Sequence, residues 1–128
     1  MAEDATSQPV RLSPSESEDF STDYANNVQF EPSVWDLKLI FGQLDQRPGK
    51  AIVDYHTAIT IPWIQAKILS YYLQLNIAAY EHTNGRISVP ASVIPRIPEP
   101  PSHEVQESAP AAEAVYELSL ELHNKIFE

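Results

Sequence analysis

His56 and Asp54 are the residues of this chain whose types and spacing most readily suggest chemistry. They stand two residues apart in a stretch that alternates polar and apolar residues, so both side chains are expected on one face of a strand. Asp36, in a similar stretch, could lie opposite them on the neighbouring strand. A carboxylate–imidazole group can bind a metal ion or act as a general base. The alternative, which we favour, is the polar outer face of a sheet.

Motifs of known catalytic and cofactor sites are missing from the sequence. It holds no GxSxG, no HExxH, no glycine-rich phosphate loop and no paired-histidine ligand spacing. The chain has no cysteine, which excludes disulfides, thiolate catalysis and cysteine-based zinc or iron–sulfur sites. We therefore predict a protein that is not an enzyme and that has no cofactor and no metal site.

The charge of the chain is concentrated at its two ends. Of 128 residues, 8 are Lys or Arg and 18 are Asp or Glu, which gives a net charge of −10. Residues 1–23 carry −5 and residues 99–128 carry −6, whereas residues 24–98 carry +1. An acidic chain lacks the basic footprint of a nucleic-acid binder or a binder of anionic membranes. No secretory signal or membrane-length apolar run is present, so we expect a cytoplasmic protein.

Two segments have the composition of connecting or disordered chain. Residues 1–23 are rich in Ser, Pro and acidic residues and are predicted to form a disordered arm. Residues 91–110 are predicted to form an extended linker, because prolines are dense there. Either segment could bind a partner, the arm through its acidic charge and the linker as a proline-rich ligand. A solubilising leader and a stiff spacer are the simpler interpretations.

Residues 24–61 show the period of two that is typical of strands. Turn signals at Glu31-Pro32-Ser33 and Pro48-Gly49 separate three alternating stretches, and short connections favour an antiparallel meander. Residues 86–90 could add a fourth strand.

A helix of about 21 residues is predicted after Pro62, with Thr60 as its cap and Asn84-Gly85 as its stop. Its polar positions occupy a stripe only about 80° wide, so apolar residues cover most of its girth. The first flank of this stripe consists of Ile64, Ile68, Leu75 and Ala79, and the second flank consists of Leu69, Leu73, Ile77 and Tyr80. One sheet face can cover only one flank. Asn76 lies within the apolar arc and is expected to bond a backbone edge or its counterpart in a second copy.

A second helix is predicted at residues 111–128. Val115, Leu118, Leu122 and Ile126 form an apolar seam, on which we expect this helix to pack. Glu113, Glu117 and Glu121 form an acidic row. This row is interpreted as a solvated face, although it could bind a cation or a basic partner.

Two stretches resemble a bacterial family of small proteins known as a domain of unknown function, over residues 24–90. The marks are the Tyr24-Ala25-Asn26 opening, Asp36 followed by alternation to Phe41-Gly42, and a helix pattern. That pattern comprises Ala66-Lys67, Leu69, Leu73, Asn76-Ile77 and Tyr80-Glu81. Members often have Ser before the helix proline, where this chain has Ile61. The resemblance implies a compact β-meander plus helix and brings no activity.

Together these features predict an α+β protein: an antiparallel meander of three to four strands, a long helix, a proline-rich linker and a C-terminal amphipathic helix. The function predicted is a non-enzymatic interaction and oligomerisation module, a homodimer or higher homo-oligomer whose acidic tails could hold a protein partner. The predicted interaction residues are Ile64, Ile68, Leu75, Ala79, Asn76, Leu118 and Leu122. A holdase or secretion-type chaperone is the alternative. A small enzyme or metal-binding protein using Asp36, Asp54 and His56 is favoured least.

Overall fold

The computed structural model of the chain describes residues 9–45, 47–49 and 51–128. The chain divides into two compact units, Met1–Tyr71 and Tyr72–Glu128. The first unit holds three strands and the start of a long helix, and the second unit holds the rest of that helix and two further helices. This arrangement is the α+β class that the sequence predicts.

The sheet is an antiparallel meander of β1 (Asn27–Pro32), β2 (Asp36–Leu44) and β3 (Val53–Pro62), in the order β1-β2-β3. The prediction of a meander with short connections is confirmed. Residues 86–90 adopt no strand, so the part of the chain that the structure describes has three strands. The fourth strand considered from the sequence is not formed.

One face of the sheet is apolar, and it is buried at its centre but half exposed on both outer strands. Leu39 lies at its centre and pairs with Phe30 on one side and Ile59 on the other. Among the described residues Leu39 is the one buried hydrophobic side chain, with 8% of its surface exposed. Its neighbours Phe30 and Ile59 keep 56% and 51% of theirs exposed. The alternating pattern therefore built an apolar face that the described residues cover only at its centre.

A β-bulge interrupts the β2–β3 pairing at Gly42. Phe41 pairs with Thr57 and Gly42 pairs with Tyr55, so His56 is the additional residue on β3. A Cβ at Gly42 would lie 2.8 Å from the Tyr55 ring and 2.8 Å from the Val53 side chain. The close passage of Tyr55 across β2 therefore requires glycine at this position.

Side-chain hydrogen bonds close the β1–β2 hairpin at the end where β1 begins. The Asn26 backbone N–H donates to the Gly42 carbonyl at 3.1 Å. The Asn26 side-chain oxygen accepts from the Leu44 N–H at 2.6 Å, and its amide nitrogen lies 3.5 Å from the Leu44 carbonyl oxygen. The asparagine side chain thus continues the backbone pairing one step beyond the strand.

Ser33 organises the turn at the other end of this hairpin. Its hydroxyl oxygen accepts from the N–H groups of Trp35 (3.1 Å) and Asp36 (3.0 Å). Its carbonyl oxygen accepts from the indole N–H of Trp63 at 2.9 Å. The first residue after β3 is thereby tied to the turn between β1 and β2.

Helix α1 spans Trp63–Asn84 and follows β3 without a connecting loop. Thr60 pairs with Lys38 inside the sheet, so the prediction that Thr60 caps the helix is wrong. The predicted stop is confirmed. Gly85 has φ of +89°, and its N–H donates to the Glu81 carbonyl at 2.9 Å, which is a glycine helix terminus.

A short helix interrupts the segment that we predicted to be extended. Helix α2 spans His103–Ser108, and the Ser102 hydroxyl accepts from the Val105 N–H at 3.3 Å as its cap. No proline stands between Pro101 and Pro110, so nothing there prevents a helical turn. The prediction of an extended linker throughout 91–110 is wrong for this stretch.

Helix α3 spans Ala112–Phe127 and turns a different side toward its unit than the sequence analysis expected. Its half-buried residues are Ala112, Tyr116, Ser119, Leu120, His123 and Phe127. A ring nitrogen of His123 lies 2.7 Å from the Pro95 carbonyl oxygen, and its ring meets the Phe127 ring edge at 5.1 Å. The predicted seam of Val115, Leu118, Leu122 and Ile126 stays 46–63% exposed, so the expectation that this seam packs is wrong within the chain.

Residues 9–23 are exposed and contain no helix or strand, and residues 1–8 of the predicted arm lie outside the described residues. None of the helices described is long and apolar enough to cross a membrane.

Replacing Gly42 tests the close packing at the bulge. Gly42→Ala is expected to lower the free energy of unfolding by about 1–3 kcal/mol, because the added methyl group must displace Tyr55 and Val53. Gln43→Ala, at the exposed neighbouring position, is the control and should stay within about 0.5 kcal/mol. Urea denaturation of the two variants measures both changes. Equal stability of the two variants would contradict the packing argument.

Candidate interaction surface

The first flank of α1 is a continuous exposed apolar strip. Ile64, Ile68 and Leu75 expose 78%, 43% and 49% of their surface, and Ala79 is exposed as well. Residues three, four and seven apart share one side of a helix, so these four side chains lie in line over about four turns. All four are predicted interaction residues, and the helix places them on one side.

The second flank is open over most of its length too. Leu73, Ile77 and Tyr80 are 47–55% exposed, whereas Leu69 is half-buried, like the neighbouring Ala66. We expected the sheet to cover one whole flank. Instead no residue of α1, all of which the structure describes, is buried. The helix therefore has more uncovered apolar surface than the sequence analysis assigned to it.

Asn76 uses its amide within its own helix. The side-chain nitrogen donates to the Tyr72 carbonyl at 2.7 Å, one turn earlier. This bond satisfies one of its donors, and the side chain is exposed. The structure thus explains how a polar residue is tolerated in the apolar arc. Its predicted bond to a backbone edge or a second copy stays a prediction.

Leu118 and Leu122, the remaining predicted interaction residues, lie on α3 and are 51% and 46% exposed. They belong to the second unit and form an apolar patch on it.

The polar residues considered for catalysis do not all meet. Asp54 and His56 line one shallow cleft of about 600 Å³ with Tyr24, Asn26, Gln43, Leu44, Asp45 and Arg47. Asp36 pairs with Pro62 at the opposite end of β2, and its carboxylate accepts from the Ser33 hydroxyl at 3.0 Å. The expectation that Asp36 lies opposite Asp54 and His56 is therefore wrong. Its position follows from the strand register, which the alternation alone leaves open.

His56 attaches the segment before β1 to β3. One ring nitrogen, Nε2, lies 2.9 Å from the Tyr24 carbonyl oxygen, which can only accept, so Nε2 carries a proton. The other, Nδ1, lies 2.8 Å from the Thr57 hydroxyl and 3.2 Å from the Asp23 carboxylate. Both ring nitrogens are thus engaged by the protein itself. Within the described residues no cluster of three or more His, Asp or Glu side chains could hold a metal ion.

An ion pair between the exposed Arg47 and the half-buried Asp45 lies at the rim of the cleft. The Arg47 guanidinium binds the Asp45 carboxylate, with Nη2 2.6 Å from Oδ2 and Nε 3.0 Å from Oδ1. The side-chain hydrogen bond from Arg47 holds the pKa of Asp45 below its ordinary value of 3.8. The backbone N–H of Arg47, which also donates to Asp45, acts in the same direction.

Asn26 and Ser33 organise the sheet, and neither role was predicted from the sequence. Asn26 was visible only as part of the Tyr24-Ala25-Asn26 opening, and Ser33 only as part of a turn signal. Their hydrogen bonds close the two ends of the β1–β2 hairpin, so these positions serve the sheet.

The chain belongs to the family described as a protein of unknown function (DUF3467), whose family model matches residues 1–89. The match includes β1, β2, β3 and α1, and it begins before residue 24, where the resemblance noted from the sequence began. It stops before α2 and α3. No curated protein and no solved structure matches the chain.

His56→Gln tests whether the imidazole is more than a structural attachment. Glutamine keeps an N–H donor for the Tyr24 carbonyl, so the free energy of unfolding should change by no more than about 1 kcal/mol. His56→Ala removes that donor and should be the less stable of the two. Thermal unfolding followed by circular dichroism compares them. A loss well above 1 kcal/mol in His56→Gln would show that the ring has a further role.

The Asp45–Arg47 pair predicts a pH effect of known sign. A carboxyl with a lowered pKa contributes stability above its ordinary pKa, and the contribution is lost as the pH falls through the lowered value. Arg47→Ala should therefore move the titration midpoint of Asp45 upward, toward 3.8. NMR titration of the side-chain carboxyl carbon measures this midpoint. An unchanged midpoint would show that Arg47 does not pair with Asp45 in solution.

Proposed function

We propose that this protein is a non-enzymatic protein–protein interaction module that associates with copies of itself. The observation that supports the proposal is the imbalance between buried and exposed apolar side chains. Leu39 is the one hydrophobic residue buried among those described, whereas the open face of the sheet and both flanks of α1 expose large hydrophobic side chains.

The cost of leaving these side chains open is considerable. Burying apolar surface contributes roughly 25 cal/mol per Å², so a side chain that exposes about 100 Å² forgoes roughly 2.5 kcal/mol. Each of the two compact units has fewer than about 80 residues, and domains of that size rarely obtain enough stability from a single core. Association supplies the missing burial, and contiguous exposed apolar surface is typical of interaction sites.

The acidic segments have a different role in this proposal. Residues 1–23 and 99–128 carry charges of −5 and −6 and flank an almost neutral middle. They keep the assembled protein in solution and offer contacts to a basic partner. The cytoplasm is the location we propose for it.

A holdase-type chaperone is the second candidate, and the open apolar face of the sheet favours it. Phe30, Leu39 and Ile59 form a row across three strands, with the two outer side chains about half exposed. Such a row could hold an extended apolar segment of an unfolded chain. A chaperone of this kind would slow the aggregation of a denatured client protein, whereas a pure oligomerisation module would not.

Light scattering coupled to gel filtration tests the proposal on the full chain. Across a range of concentrations the mass should approach at least twice the 14.4 kDa of one chain. Binding of a hydrophobic dye should be weak where association covers the apolar surface. A monomer that neither binds the dye nor slows client aggregation would contradict both candidate functions.

A further inference from the structure

We propose that two copies of this chain pair through the first flank of α1, with the two helices antiparallel and the two-fold axis between Tyr71 and Tyr72. The inference rests on the proposed oligomerisation and specifies the surface, the orientation and the register. A second copy of the chain is the occupant to which it commits.

The burial pattern of α1 selects the first flank. The half-buried residues of the helix are Ala66, Leu69 and Glu81, and the two apolar ones lie at or beside the second flank. Ile64, Ile68 and Leu75 on the first flank remain 43–78% exposed. The half-buried Ala66 and Leu69 show that the contacts of α1 with the described chain lie toward the second flank, so we assign the first flank to the partner.

The order of side chains along this flank is complementary to itself in reverse. Antiparallel pairing about an axis between residues 71 and 72 sets Ile64 opposite Ala79 of the second copy and Ile68 opposite its Leu75. Ile64, the most exposed of the three large side chains on this flank, thus meets the small Ala79, and Ile68 and Leu75, at 43% and 49% exposed, meet each other. At the axis, Tyr71 of each copy lies opposite Tyr72 of the other copy. A contact of this kind uses the same patch on both copies, as two-fold symmetry requires.

Electrostatics favours this surface over the ends of the chain. Residues 24–98 carry a net charge of +1, whereas the flanking segments carry −5 and −6 and would repel their counterparts. In the proposed register the two Lys67 residues stand about 14 Å apart along the helix axis, at a rise of 1.5 Å per residue. That separation exceeds the Debye length of about 8 Å at physiological salt, so their repulsion is screened.

The exposed apolar area of the first flank is close to the area that a small dimer interface needs. Ile64, Ile68, Tyr71, Tyr72 and Leu75 each expose between 43% and 78% of their surface. At roughly 100 Å² each, about half of what a large side chain can bury, they offer about 500 Å² per copy. With Ala79 and neighbouring stems, this approaches the roughly 600 Å² per partner at which stable interfaces begin.

The edges of the sheet are poorly suited to the alternative, strand-to-strand association. The edge strand β3 carries the bulge at His56, and the edge strand β1 has six residues and ends at Pro32. Bulges, short length and proline are features that hinder pairing between sheet edges. Helix pairing avoids both edges.

Charged pairs placed on the flank test the register in the full chain. Ile68→Lys alone should raise the dimer dissociation constant at least about 100-fold, because symmetry places the charge in the interface twice. Adding Leu75→Glu to it should recover at least about 10-fold, since the ammonium introduced at position 68 would then face the carboxylate introduced at position 75 of the other copy. Adding Leu75→Lys instead should recover nothing. Sedimentation velocity measures the constants, and circular dichroism verifies the helix content of each variant.

Two control variants separate this inference from the proposed function. Leu73→Lys alters the second flank and Leu118→Lys alters α3, at positions 54% and 51% exposed. Both should leave the dimer intact. If the unaltered chain is a dimer and one of these controls dissociates it while Ile68→Lys does not, oligomerisation stands and the first-flank pairing is wrong. If the unaltered chain is a monomer, both proposals fail.

Cross-linking provides a second readout that does not depend on affinity. Because the chain has no cysteine, a single introduced cysteine reports only on its own position. Mixed Ile64→Cys and Ala79→Cys chains should form a disulfide with each other, and each variant alone should form little. Disulfides require Cα atoms within about 7 Å, whereas the two copies of residue 64 would lie about 22 Å apart along the axis. Efficient cross-linking of Ile64→Cys to itself would indicate parallel helices and overturn the proposal.

Discussion

The uncovered apolar surface of the sheet and of α1 is the constraint on which the rest of the structure depends. The sheet has one apolar face, centred on Leu39, and α1 is apolar around most of its girth. A three-stranded meander has too few strands to surround such a helix, and no residue of the fully described α1 is buried. The need to cover this surface is the physical reason for proposing an assembly of several chains.

Local polar bonds, in contrast, hold the sheet together without a large core. The Asn26 side chain extends the pairing of β1 with β2, and the Ser33 hydroxyl closes the turn between them. The Trp63 indole joins the start of α1 to the same turn, and His56 joins the preceding segment to β3. These bonds define the geometry of the strands, so association can supply burial while the meander keeps its register. The family match covers this part of the chain and stops before α2 and α3.

The histidine and the carboxylates illustrate how spacing and register differ as predictors. Asp54 and His56 line one cleft, as expected for residues two apart on one strand. Asp36 lies at the other end of β2, because it is the register with β3 that places it opposite Pro62. The additional residue at His56 further changes which side chains meet across the strands. Neither the register nor the bulge leaves a signal in the alternation of polar and apolar residues.

What the sequence alone determined about this protein is its local structure: a meander of short strands, a long helix with its stop at Asn84-Gly85, and the separation of charge from the apolar middle. Periodicity, turn residues and glycine termini are local signals, so one chain segment is enough to read them. Only the tertiary structure decided that α3 turns Tyr116, Leu120 and His123 inward and leaves Leu118 and Leu122 open. It also decided that β3 continues into α1 without the predicted cap. These outcomes depend on which segments become neighbours in space. When a helix has enough apolar residues for two packing faces, its sequence does not specify which face the chain buries.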